Sequence, residues 1–346
     1  MVIGLERNTK PLEQSDREIY ELILKETARQ NDGLEMIPSE NHSSMAVREA
    51  LGSVFTDKYS EGYPHRRYYG GNEFVDEAEL LAIARAKKLF GVEHVNVQPY
   101  SGSPANQAVY FALLEAGDKV MGQSLPDGGH LTHGWKVNFS GRTYTSVQYN
   151  VKPDGYLDLE QVRSLALEHK PKLIWVGATA YARELPFEEF GKIADGCSAY
   201  LAADISHIAG LVAGGAHKSP VPFVHIVTTT THKTLRGPRG AMIMVTKKGL
   251  QKDAQLPSKI DKAVFPGLQG GPHDHQTAAI AVALREALQP EFREYARQIV
   301  KNSKALAKSL SEEGIKLVSG GSENHLILID LTPFGKGKGL FAQEAL

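Results

Sequence analysis

Apolar residues recur along this chain with two periods. Apolar positions three to four residues apart predict helices from Ser15 or Asp16 to about Gln30, Asp76–Phe90, Ser101 to about Glu115, Leu159–Glu168, Glu188–Asp195, His275–Leu288 and Glu291–Leu310. The first carries Ile19, Leu22 and Ile23 on one face, with Gly33 beyond its end. The second turns Leu80, Leu81, Ala84 and Leu89 inward. Between the helices, short apolar runs predict strands at His94–Gln98, Lys119–Met121, Thr143–Tyr149, Lys172–Val176, Tyr200–Ala203, Phe223–Val227, Ala241–Val245 and His325–Leu331. Strands alternating with helices imply an α/β fold whose mostly parallel central sheet is covered on both faces. Residues 1–15 read as a polar arm, and Pro38 keeps Met36–Asn41 extended. Ser39 and Glu40 read as a cap for the next helix. The expected division is an N-terminal arm and helix over 1–35, a large domain over 36–290 and the start of a smaller one over 291–346.

Composition narrows the classes. The chain has 346 residues, 42% of them hydrophobic, which suits one large domain with an ordinary core. Its net charge of -1 advertises no nucleic-acid face. No apolar run is long enough to span a bilayer, and MVIGLERNTK is not a secretory signal. Cys197 is the only cysteine, so no internal disulfide forms and a reducing compartment, the cytoplasm, is expected.

Candidate chemistry sits where strands end. The run before Thr228–Thr231 leads into His232 and Lys233, then into a turn with Arg236 and Arg239. Nearby like charge favours a neutral amine, the nucleophile that forms a Schiff base with an aldehyde. The bland alternative is a solvated basic loop. The turn Ser101-Gly102-Ser103 between a strand and a helix start reads either as a simple cap or as an anion site. Asp204 closes a strand, where open α/β sheets bind ligands. His130 follows two glycines at a strand's end, where the backbone can come close to a ligand. Tyr59–Glu73 packs tyrosines among glycines and charges, a loop composition.

Several motifs together carry a resemblance. TTTTHKTLRGPRG, SENH, DKYSEGYPHRRYYGGNE, NVQPYSGSPAN, LPDGGHLTHG, ADISHIAGLVA, VFPGLQGGPHDH and SGGSENHLILIDL lie between about Leu34 and about Asp330. As a set they resemble serine hydroxymethyltransferase, an enzyme dependent on pyridoxal phosphate (PLP). The resemblance implies an aspartate-aminotransferase-like fold (fold type I of PLP enzymes) and a homodimer with shared sites, or a tetramer built on it. It implies transfer of the serine hydroxymethyl group to tetrahydrofolate, giving glycine and methylenetetrahydrofolate. Lys233 is then the Schiff-base lysine, Asp204 the partner of the pyridine nitrogen and His130 the ring stacked on it. Ser101, Gly102 and Ser103 cradle the phosphate, while Thr179, His207 and His232 complete the cofactor contacts. Tyr59, Gly270 and Gly271 reach the partner's phosphate. Glu61 handles a proton near the substrate hydroxyl, Tyr68 and Tyr69 wall the site, Ser39 and Arg239 bind substrate, and Leu125 and Gly129 line the folate site. Two departures are mild: Asp204-Ile205-Ser206-His207 stands where the family commonly has Asp-Met-Ala-His, and Ala241 stands for glycine.

Leu340–Leu346 reads as the first turns of a helix. The resemblance implies a further C-terminal region with an arginine for the substrate carboxylate and an asparagine for folate. Arg285, Arg293 and Arg297 lie on earlier helices and do not match them. Cofactor binding is therefore expected to survive better than turnover. Two other functions stay open at this stage: a folate-independent PLP aldolase of β-hydroxy amino acids, and an impaired subunit that binds PLP or a complete partner.

Overall fold

A computed structural model of the chain describes residues 10–346. The described residues form two compact units, one through Glu40 and one from Asn41 to Leu346. In the first, Asp16 caps the helix Arg17–Asp32 by accepting the N–H of Ile19, and Gly33 follows its end. Ile19, Leu22 and Ile23 share a face as expected, yet all three are exposed. Ile37–Glu40 closes a turn through the Glu40 N–H and the Ile37 carbonyl. Most of the expected polar arm, residues 1–9, lies outside the described residues.

The second unit is built on one sheet. A small antiparallel hairpin comes first, β1 (Gly62–Tyr63) with β2 (Arg66–Arg67). The sheet strands are β3 (His94–Asn96), β4 (Lys119–Gln123), β5 (Thr145–Tyr149), β6 (Leu173–Val176), β7 (Tyr200–Asp204), β8 (Ile226–Thr230) and β9 (Ala241–Val245). Their order is β3-β9-β8-β7-β6-β4-β5. The pairs from β8 to β5 are parallel, and β9 runs antiparallel to both β8 and β3. Every residue of β6, β8 and β9 is buried; β6 and β9 accordingly read as unbroken apolar runs, while β8 ends in the buried threonines Thr228–Thr230. Met121, Ile174, Leu201, Val227 and Met244 enter one core, and Leu173, Trp175, Ala202, Ile226 and Ile243 the other. Successive side chains of a strand point to opposite faces, so the sheet separates the two cores. No helix among the described residues is long and apolar enough to cross a membrane.

Four expectations need correction. The helix Glu73–Phe90 buries Val75, Asp76, Glu79, Ala82, Ala86 and Phe90, while Leu80 and Leu81 are exposed. Its inward face holds two carboxylates because Arg67 meets them there, at 2.8 Å from Asp76 and 2.6 Å from Glu79. Ser44, rather than Ser39 or Glu40, caps the next helix, Met45–Leu51, by accepting the N–H of Val47. His130 does not end a strand: it opens the short helical turn Leu131–His133, seven residues after β4. His325–Leu331 is not a strand, since its sole ladder contact among the described residues is the isolated bridge Leu317–Ile329. Side chains fix the start of this segment instead. Asn324 donates to the carbonyl of Tyr181 at 2.8 Å, and Ser322 bonds Ser303 at 2.9 Å. The chain's last described element is the helix Lys338–Ala345.

Candidate active site

Three segment ends converge at the carboxyl edge of the sheet. β8 runs into Thr231, whose N–H bonds the carbonyl of Gly240 and whose hydroxyl bonds the carbonyl of Pro238. The loop between them is thereby closed on itself and holds Lys233 in place. The Lys233 Nζ donates to Thr230 Oγ1 at 2.9 Å. Burial pushes the amine's pKa down, the Asp204 carboxylate pulls it up, and the Arg239 charge lowers it again. Arg236 contributes differently from the expectation. Its backbone is left-handed (φ 61°), and its guanidinium lies 4.7 Å over the Tyr295 ring. Burial and Arg239, rather than a pair of arginines, lower the amine's basicity against the pull of Asp204. Asn41 fixes the backbone by donating to the Lys233 carbonyl at 3.0 Å and to Tyr295 Oη at 2.8 Å.

Asp204 ends β7 in register with Thr228 of β8. Burial alone would raise its pKa, but the bond and charge of His133 and the bond from Ser206 hold it far below the carboxylate range. His133 Nε2 is 3.2 Å from Oδ2 and Asn106 donates to the same oxygen at 2.9 Å. Ser206 donates to Oδ1 at 2.6 Å, and its hydroxyl accepts the Thr230 N–H at 3.0 Å. The departure at Ser206 is therefore more than mild, because that hydroxyl joins the carboxylate to the strand that carries the lysine. His133 itself is buried and stacked on Trp175 at 5.2 Å.

His130 sits beside this group, 5.7 Å from the His133 ring, with Nδ1 paired to Thr132 at 2.7 Å. Burial, then the charge of His133, pushes its pKa down to about 4. Its loop is tied to the next strand end, since the Thr179 N–H donates to the Gly128 carbonyl at 2.8 Å. Leu125, Gly129 and Thr179 are thus brought to one place. Asp127 braces this loop by accepting from Ser124 and Asn150. His207 is buried, and the Thr234 hydroxyl donates to its carbonyl at 2.7 Å. Burial, His325 and Lys233 lower its pKa to about 3. His232, half-buried, is lowered to about 3 by burial, Lys233 and Arg239.

The same site suits a phosphorylated pyridine aldehyde. Ser101 precedes the helix Gly102–Leu113 without a side-chain cap, so its first N–H groups are unclaimed by that hydroxyl. A Cβ on Gly102 would come within 2.7 Å of the Thr230 methyl, so only glycine fits between the cradle and the lysine strand. Asn106 Oδ1, Thr228 Oγ1 and His232 Nδ1 are buried polar atoms without a partner among the described residues.

A second cluster gathers around Glu61. Tyr59 Oη donates to Glu61 at 3.4 Å and Tyr69 Oη donates to Glu61 at 3.3 Å. Tyr59, Tyr68 and Tyr69 are 60%, 70% and 54% exposed. A Cβ on Gly270 would lie 3.2 Å from Glu61 Oε1, and one on Gly271 3.2 Å from the Tyr59 ring. Arg67 fixes the loop from beneath by donating to the carbonyls of Ser60 and Gly62, both at 2.9 Å. Ser39 belongs to the first unit, and the Arg239 side chain is exposed.

Sequence reasoning missed Asn41, Asn106, His133, Ser206, Thr230 and His325. His133 was visible inside LPDGGHLTHG, but only the fold aims it at Asp204.

A parallel sheet with one antiparallel strand inserted, a lysine just past one strand and a buried anionic aspartate at the end of its neighbour define a PLP-dependent enzyme of fold type I. A serine hydroxymethyltransferase family model matches residues 12–345, and the chain belongs to that family. It is similar to the serine hydroxymethyltransferase of Acidothermus cellulolyticus, 58% identical over 94% of this chain and 74% of the relative. The serine hydroxymethyltransferase of Sorangium cellulosum is 58% identical over 96% of this chain and 78% of its own length. That of Desulfotalea psychrophila is 56% identical over 93% and 74%. The reaction is the PLP-dependent, reversible transfer of the serine hydroxymethyl group to tetrahydrofolate. Neither the folate-independent aldolase nor the impaired subunit finds support.

Proposed function

We propose that this chain performs that reaction with Lys233 and Asp204 at its centre, as a homodimer whose sites are shared, in the cytoplasm. PLP, when bound, supplies an aldehyde for amines and a ring that takes up negative charge from the amino acid's α-carbon. Lys233 would hold the aldehyde, because a partly buried amine of lowered basicity is a ready nucleophile. Asp204, kept anionic by His133 and Ser206, would hold a proton on the ring nitrogen. His130, neutral at pH 7, would lie against the ring without adding charge. Ser101, Gly102 and Ser103 would take the phosphate on their N–H groups. Thr179, His207 and His232 would bind the rest of the cofactor.

Glu61 would hold or release the proton at the serine hydroxyl, between Tyr59 and Tyr69. Tyr68 would wall the site, Ser39 and Arg239 would orient the amino acid, and Leu125 and Gly129 would border the pterin. The exposed tyrosine cluster supports the dimer. Tyr59, Glu61, Gly270 and Gly271 are gathered in one cluster that leaves Tyr59 and Tyr69 exposed, as residues serving a second copy would be. On this reading residues 36–290 form the cofactor domain and 291–346 begin another.

The observation that carries the proposal is the Lys233–Thr230–Ser206–Asp204 chain of hydrogen bonds. Borohydride reduction of the PLP-treated protein, followed by peptide mass spectrometry, should place the cofactor on Lys233. Lys233→Ala should show no adduct, and an adduct elsewhere sinks the assignment. Serine cleavage should depend on added tetrahydrofolate. For the dimer, mixing inactive Lys233→Ala with inactive Glu61→Gln should restore up to a quarter of wild-type activity through hybrid sites. No recovery from subunits that demonstrably exchange would refute shared sites.

A further inference from the structure

His207 Nδ1 lies 3.2 Å from His325 Nε2, and the two rings stack at 5.4 Å with 30° between their planes. A small pocket beside them is bordered by Asp204, Ala178, Tyr181 and Leu326. His325 is held firmly. The Glu323 N–H donates to the Ala182 carbonyl at 2.8 Å, and the Leu326 N–H donates to Asn324 Oδ1 at 3.0 Å. His207 is held equally firmly through Thr234, the neighbour of Lys233.

A bond between two neutral imidazoles needs one N–H and one bare nitrogen. Whichever ring donates fixes the tautomer of the other, and so decides whether its remaining nitrogen donates or accepts. Among the described residues, His207 Nε2 has no protein partner, so its role is set from the His325 side. An oxygen of PLP held against His207 would accept a hydrogen bond, and with Nδ1 engaged by His325 only an Nε2–H could serve it.

We propose that His325 is a positioning residue for the cofactor: it donates Nε2–H to His207 Nδ1 and so keeps the hydrogen of His207 on Nε2, facing PLP chemistry as a donor. The proposal rests on the reading that His207 contacts PLP. It gives the segment after the helix Pro290–Glu312 a direct hold on the cofactor pocket. The known reaction does not otherwise require one.

The test uses the PLP-loaded enzyme, reading the PLP dissociation constant and the long-wavelength absorption band of the bound cofactor. His325→Phe keeps the stacked ring and removes the bond. It should weaken PLP about tenfold and shift the band. His325→Gln, whose amide can donate from near the Nε2 position, should stay within about threefold of wild type. In a His207→Ala background, His325→Phe should add nothing further. The proposal is overturned if His325→Phe leaves affinity and band unchanged, or weakens PLP equally in both backgrounds. If His207→Ala is itself silent, the His207 contact is the reading that fails. Should His325→Phe not fold by circular dichroism, His325→Asn, too short to reach His207, takes its place with the same expected loss.

Discussion

Ser206 and Asp204 are joined by a 2.6 Å hydrogen bond, and the same serine hydroxyl accepts the backbone N–H of Thr230. The carboxylate and the lysine-bearing strand are therefore fixed relative to each other by one side chain. Ser206→Ala removes a charge-assisted bond and leaves the Thr230 N–H buried and unpaired. A stability loss of about 1.5–3 kcal/mol is expected, read as a lower denaturant midpoint at unchanged slope. Wild-type stability in the variant would show that this link holds nothing.

Among the described residues Arg67 is the one cation bonded to both Asp76 and Glu79, and its side chain is 4% exposed. Arg67→Met strips two carboxylates of their shared cation and two carbonyls of a donor. Removing one member of such a buried pair costs about 3–5 kcal/mol. Glu79→Gln should cost much less, because burial already pushes the Glu79 pKa up and the amide keeps the side chain's length. Thermal unfolding of the two variants side by side decides it. Equal losses would contradict an arginine-centred network.

The pocket histidines fix the direction of the pH dependence. His130 is lowered from 6.5 to about 4, and His207 and His232 to about 3. The unfolded chain therefore binds more protons than the folded chain between about pH 6.5 and these lower values. Stability is full above 6.5 and falls as pH drops towards 4 and below. His130→Gln should flatten part of that fall in denaturation curves taken between pH 7 and pH 4. A profile unchanged by the substitution would mean that His130 titrates normally.

Much of this protein was legible in its order of residues. Continuous apolar runs such as Leu173–Val176 and Ala241–Val245 are strands buried on both faces, and such runs have one plausible destination in an alternating chain. The positions of Lys233, Asp204 and the Ser101–Ser103 turn at strand and helix ends were legible because turn chemistry and strand ends are local, whereas His130 was misplaced at a strand's end. The misread parts were those that distant partners decide. Leu80 and Leu81 face outward because Arg67, from another segment, claims the opposite face of their helix for Asp76 and Glu79. His325–Leu331 has strand composition, yet a strand needs a neighbour to pair with, and Asn324 and Ser322 hold its start instead. Sequence by itself determined which residues could do chemistry and which elements would carry them. Only the tertiary structure decided that His133 and Asn106 converge on Asp204 and that His325 meets His207, because hydrogen-bond partners 71 to 118 residues apart are chosen by packing and not by spacing.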